Sequence, residues 1–148
     1  MATSRRREII NFIIAQLKTI DGATSSYGYN FKTNLSQNVF KGLKYIDQIN
    51  DFPSIYVQGG VETYSYNSKT NTQGSMEVVV RVYTYEENSM YKLEDIIEDI
   101  THALERIKFT QNSRIISAEV SSIDSDSGLL DPYGLGEIRV LVIYDVDD

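Results

Sequence analysis

A chain of 148 residues with a net charge of -7 and no cysteine is one ordinary domain's worth of sequence, able to bury about 68–70% of the surface its unfolded form exposes. The missing thiols exclude disulfides, thiolate zinc sites and cysteine nucleophiles. Arg5, Arg6 and Arg7 form the only basic run, which argues against a protein that holds nucleic acid by its phosphates.

Residues 4–20 read as a helix with Ile10, Ile13, Ile14, Leu17 and Ile20 on one stripe. Thr3 or Ser4 is placed to cap it, and Asp21-Gly22 to end it. Glu8, Asn11, Gln16 and Lys18 interrupt the apolar stretch, so it is neither a signal-peptide core nor a membrane span; the expectation is a soluble intracellular product with no membrane partner. A polar loop then leads into a short strand at Tyr29–Leu35. In residues 36–51, Phe40, Leu43, Ile46 and Ile49 recur every third position. That spacing fits irregular helix or a loop tacked onto the core, and the segment stays unassigned.

Phe52-Pro53 opens a clearer strand, SIYVQGGVETYSY, in which Gly59-Gly60 marks a bulge or bend. The turn formers YNSKTNTQGS make the tip of a long hairpin. Its return arm is 75–86, with Met76, Val78, Val80 and Val82 pointing one way and Val79, Tyr83 and Tyr85 the other. A strand apolar on both faces is covered on both sides, or has one face against another subunit. Asn88 or Ser89 caps a second helix, whose stripe is Leu93, Ile96, Ile97, Ile100, Ala103, Leu104 and Ile107. Two more strands follow at 114–124 and 136–145, separated by a long loop, 124–136; the second is again apolar on both faces and so central. The expected fold is a single α/β domain of the α+β type: a mixed, mostly antiparallel sheet of about five strands with two helices packed on one face.

A search for chemistry returns little. The single histidine, His102, lies on the polar side of the second helix, and one His without Cys cannot build a metal cluster. Gly134-x-Gly136 precedes a strand, whereas a dinucleotide fingerprint opens a helix. Glu94, Asp95, Glu98 and Asp99 crowd one helical face and read as a solvated acidic surface, with the first two favoured by the helix dipole. Asp124-x-Asp126-x-Gly128 has its glycine one place early for a calcium loop and lacks the closing glutamate. The expectation is no enzyme, no metal and no cofactor.

Other features suit contact with partners. Eleven tyrosines and no tryptophan fit surfaces half buried against another protein, although tyrosine is also a good strand residue. Arg5, Arg6 and Arg7 oppose the dipole of the helix they begin, at ~0.3–1 kcal/mol each, which either a solvated terminus or an acidic partner surface accounts for. Leu129, Leu130, Tyr133 and Leu135 gather in a polar loop, where they fold back on the core or form a binding surface.

The run DFPSIYVQGGVETYSY, its polar hairpin, MEVVVRVYTYEEN, the amphipathic LEDIIEDITHALERI and the closing pair SAEVSSIDSD and LGEIRVLVIYD resemble the tail terminator, or tail completion, proteins of tailed bacteriophages. The resemblance rests on element order and on the Phe-Pro strand with Glu62 shortly after; residues 36–51 and the 124–136 loop match least. It implies a non-enzymatic virion protein of the tail and neck, made in the bacterial host cytoplasm. Such a protein forms a homohexameric ring on the head-proximal end of the tail tube and ends tube polymerisation. The implied partners are copies of itself, the tail tube protein, a neck or connector protein and, in a contractile tail, the sheath protein. DNA would pass through the ring without specific binding, as an acidic wall favours. A terminator that assembled freely would cap tails too early, a hazard that a ring templated by the tube end would avoid. The residues expected to meet partners are Arg5, Arg6, Arg7, Tyr64, Tyr66, Leu129, Leu130, Tyr133 and Leu135. Rival readings are another neck component (a head–tail connector or stopper) and a small ferredoxin-like binding domain; an enzyme using helix-borne carboxylates and a metal comes third.

Overall fold

The computed structural model describes residues 4–24, 28–42, 48–68, 71–87, 89–105, 115–126 and 132–146. Helix α1 (Arg5–Leu17) is followed by β1 (Val39–Lys41), β2 (Ser54–Ser68), β3 (Asn71–Tyr85), α2 (Ser89–Glu105), β4 (Ile115–Ser125) and β5 (Tyr133–Asp145). The strands form one sheet in the order β1-β2-β3-β5-β4, and only the β1–β2 pair is parallel. This is the mixed, mostly antiparallel five-stranded α+β arrangement that the element order implied.

Alternation sorts the sheet into two faces. Met76, Val78, Val80 and Val82 of β3 and Ile138, Val140, Val142 and Tyr144 of β5 are fully buried on the face that carries the helices. Onto them α1 lays Ile9, Ile10, Ile13 and Leu17, and α2 lays Leu93, Ile96, Ile100 and Leu104. Burying each such side chain contributes ~1.5–3 kcal/mol, so this layer dominates the fold. α1 packs toward β1 and β2, whereas α2 packs over β3, β5 and β4. Ser4 caps α1, its Oγ accepting the Arg7 N–H at 3.2 Å. A Cβ at Gly136 would stand 3.0 Å from Leu93 Cδ1; the bare backbone there lets α2 approach the sheet.

Neither described helix lies on the other face. Its middle carries ion pairs: Arg139 with Glu77 at 2.6 Å and with Glu137 at 2.8 Å, and Arg81 with Glu137 at 3.6 Å. Exposed pairs of this kind contribute only ~0.2–1 kcal/mol. At one end a small second cluster of Ile49, Tyr56 and Tyr83, flanked by Phe52 and Leu135, covers the sheet. Among the described residues, the doubly apolar β3 is therefore covered by helices on one side but only at its Tyr83 end on the other, and Leu141 beside it is exposed.

Several sequence expectations need correction. Tyr29–Leu35 is not a strand: only the isolated bridges Asp21 to Asn34 and Thr24 to Asn30 form there. Phe31, Thr33 and Leu35 are buried alternately, which imitates strand periodicity. The backbone, however, bonds to a side chain: Asp99 accepts the N–H groups of Lys32 and Thr33, at 3.0 and 2.9 Å to Oδ2, the Thr33 hydroxyl at 2.7 Å and the Tyr29 hydroxyl at 3.1 Å. Asp99 is thus fully buried, not part of a solvated acidic face. The hairpin tip is shorter than its turn-forming sequence suggests, because the ladder continues to Ser68 opposite Asn71. The 124–136 loop is shorter too: β3 extends far enough to pair Tyr85 with Tyr133 and Tyr83 with Leu135, so both loop residues lie on β5. The Gly59-Gly60 bulge is present, with Gly59 opposite Val78 and Glu62 opposite Met76.

Replacing Asp99 by Ala leaves buried donors without an acceptor, and Asp99→Ala should lower the unfolding free energy by ~3 kcal/mol in urea titrations. Glu98→Ala, one residue away, removes only the exposed 3.3 Å pair with Lys32 and should change it by less than ~0.5 kcal/mol. A Cβ at Gly74 would collide with the ring of Tyr144, and Tyr144 is fully buried. Gly74→Ala should therefore cost ~1–3 kcal/mol, read as a fall in melting temperature.

Candidate assembly surfaces

The bulge in β2 places two residues, Gly60 and Val61, against Glu77 and turns Glu62 onto the helix-bearing face opposite Met76. There its carboxylate gathers three donors. Arg6 Nη1 donates to Oε1 at 2.9 Å, the Tyr64 hydroxyl donates to Oε2 at 3.2 Å, and the Tyr144 hydroxyl donates to the same oxygen. Arg6 Nη2 also donates to the Gly60 carbonyl at 2.8 Å. Part of the arginine run is thus engaged within the chain, where it ties α1 to β2.

Around this centre the structure brings together four of the residues expected to meet partners. Arg6 is at the hub, and Arg5 lies close enough to act on the Tyr64 hydroxyl, partly offsetting the Glu62 charge that raises its pKa. Tyr66 follows Tyr64 on the same face, with ring centroids 6.5 Å apart. Tyr66 is 77% exposed and Tyr64 46%. Arg7 is exposed on α1. Ionic and aromatic groups thus stand side by side on one exposed patch.

A second surface lies at the opposite end of β3, where Tyr85 stands roughly 30 Å along the strand from Met76, the partner of Glu62, at ~3.3 Å per residue. Tyr133 lies tilted against Tyr85 at 4.6 Å between centroids, and Phe52 lies 5.8 Å from the Tyr85 ring and 6.0 Å from the Tyr133 ring. Tyr85 is about half exposed, and Tyr133 nearly so. Leu135 turns inward to the second apolar cluster. Leu129 and Leu130 lie outside the described residues.

A third feature had no signal in the sequence, because it arises only when α2 and β4 come together. Between them runs an open groove of ≈ 680 Å³, with Ile97 and Ile123 on its floor and Glu94, Glu98, Glu105 and Asp124 among its walls. His102 enters it lying flat on the Tyr29 ring, with centroids 3.8 Å apart. Tyr29 has its pKa raised, chiefly by burial. Among the described residues, no group of three His, Asp or Glu side chains is placed to hold a metal ion; Asp99 points into the loop and Glu98 pairs with Lys32. Asp99 itself was detectable, since it stands three residues after Ile96 on the apolar stripe of α2.

Comparison with known proteins places this fold. The family model described as Bacteriophage Tail Tube Terminator Protein matches residues 3–148. The tail tube terminator protein p142 of Escherichia phage T5 is 30% identical over 140 residues, which cover 86% of this chain and 84% of that one. A chain from the solved virion of the native gene transfer agent particle has the same fold, with a TM-score of 0.62 at 10% identity over 97% of this chain and 99% of that one. The chain belongs to the family of bacteriophage tail tube terminator proteins.

Proposed function

We propose that this chain is a structural subunit of a phage virion that forms a homohexameric ring on the head-proximal end of the tail tube, ends tube growth and joins the tail to the neck. The observation that carries this reading is the family match over residues 3–148, which takes in both helices and every strand of the sheet. A ring built by rotation needs two different, complementary surfaces on each subunit, and further surfaces for whatever lies above and below. The fold has such surfaces to spare: the Arg–Tyr region around Glu62, the Phe52–Tyr85–Tyr133 cluster and the half-bare sheet face. The tube protein and a neck or connector protein are the partners this role requires, with a sheath protein in a contractile tail. The net charge of -7 suits a ring through which DNA slides, because the summed field repels phosphate.

The role needs no catalysis, and the chemistry-bearing side chains are occupied in packing: His102 on Tyr29, Asp99 in its loop, Glu62 between helix and sheet. We assign the Phe52–Tyr85–Tyr133 cluster to contact with another virion protein, since it lies at one end of the sheet, away from the hub.

Purified tube protein allowed to polymerise with this chain should give tubes with a ring at one end only, visible by electron microscopy, and of bounded length. Tubes that grow as they do without it, with bare ends, would overturn the proposal. The double variant Tyr85→Ser, Tyr133→Ser should keep the unfolding free energy within ~2 kcal/mol of the parent but lower the fraction of tube or neck ends that carry a ring.

A further inference from the structure

We infer that neighbouring copies join by seating the arginine–tyrosine surface of one on the acidic groove between α2 and β4 of the next; this rests on the ring reading above and specifies its interface. The two features lie toward opposite edges of the sheet, on its helix-bearing face. α1 and the Glu62 hub sit over the β1–β2 side of the sheet, and the groove sits at β4, the far edge. With β3 and β5 between them, β2 and β4 are about 14 Å apart at ~4.8 Å per strand. A surface on one flank and its complement on the other is the arrangement that a heterologous ring contact requires.

Charge supplies the complementarity. The groove presents Glu94, Glu105 and Asp124 in addition to Glu98, which pairs with Lys32. On the other flank, Arg6 is committed to Glu62 and Gly60. Arg5 is partly exposed and Arg7 exposed, so both present positive charge to carboxylates outside the subunit. Arginine forks match carboxylates in geometry as well as charge. The apolar parts match too: the open rings of Tyr64 and Tyr66 face outward, and the groove floor offers Ile97 and the half-exposed Ile123. Subunits of net charge -7 repel at long range, so association depends on local pairing of this kind, and a second copy is the occupant whose basic charge is gathered where the groove is acidic.

The test is charge exchange in the full chain. Arg5→Glu with Arg7→Glu, and separately Glu94→Lys with Asp124→Lys, should each raise the protein concentration for half-maximal ring formation by roughly tenfold or more. Native mass spectrometry would be the readout, with tube ends added as template if free protein stays monomeric. Circular dichroism melts should show each variant folded. All four changes combined in one chain should restore the ring, because the reversed surfaces again complement each other. Rings unaffected by either pair would overturn this interface while leaving the ring reading intact. A folded four-fold variant that stays monomeric would also overturn it. A parent chain that makes no ring even at tube ends would remove the ring reading itself.

Discussion

Three stretches of chain meet at the carboxylate of Glu62: α1 through Arg6, the β2–β3 hairpin through Tyr64 and β5 through Tyr144. A carboxylate removed from water is tolerated only where donors replace the lost hydration, and here they come from residues up to 82 positions away in sequence. Much of the local oddity of the chain serves this meeting. The two-against-one bulge brings Glu62 to the helix side. Gly59 leaves room for Arg6, whose Nη2 would stand 2.8 Å from a Cβ at that position. Gly74, directly opposite Tyr144 in the ladder, lets the tyrosine ring lie across the strand and reach the carboxylate. Glycines that would weaken an ordinary strand are here conditions for one polar contact.

The layers of the fold were legible in the sequence because they depend on periodicity. Met76, Val78, Val80 and Val82 alternate, and Leu93, Ile96 and Ile100 repeat at helical spacing, so burial follows from position alone. What depends on side chains reaching across sequence was not legible. The alternation of Phe31, Thr33 and Leu35 matched a strand, but the N–H groups of Lys32 and Thr33 donate to the carboxylate of Asp99, some 66 residues on. Tyr133 and Leu135 looked like loop residues between glycines, yet β3 offers them a ladder. The expected contact residues divide in the same way: Arg5, Arg6, Tyr64 and Tyr66 gather around Glu62, Tyr133 joins a distant aromatic cluster, and Leu135 is drawn into a small core. The groove at β4 combines residues from three separate segments, and no local pattern marks it.

A chain that shares its fold with a gene transfer agent virion chain at 10% identity shows how widely the residues of one fold can differ, as tolerant cores allow. Surfaces have no such freedom when they must fit neighbours. In this fold the outward groups that are held most firmly, Arg6 by two acceptors and Tyr64 by a carboxylate, are fixed by the same contact that joins α1 to the sheet. Packing inside the subunit and presentation outside it are therefore one arrangement. The geometry of the Arg–Tyr surface is set by the subunit's own contacts, and a group held in this way has less entropy to lose in any contact that it makes.

The strand order has a temporal side. β5 is the latest strand in the sequence, yet it lies in the sheet between β3 and β4. A chain emerging from the ribosome can zip β2 to β3 early, since that hairpin is local, but β4 has no seat until β5 arrives to receive it. Contacts between segments so far apart form slowly and late. Until then the β3 edge is bare, and Tyr144 is not yet present to hold Glu62. A half-made subunit consequently lacks the finished form of both flanks, the Glu62 hub and the groove at β4.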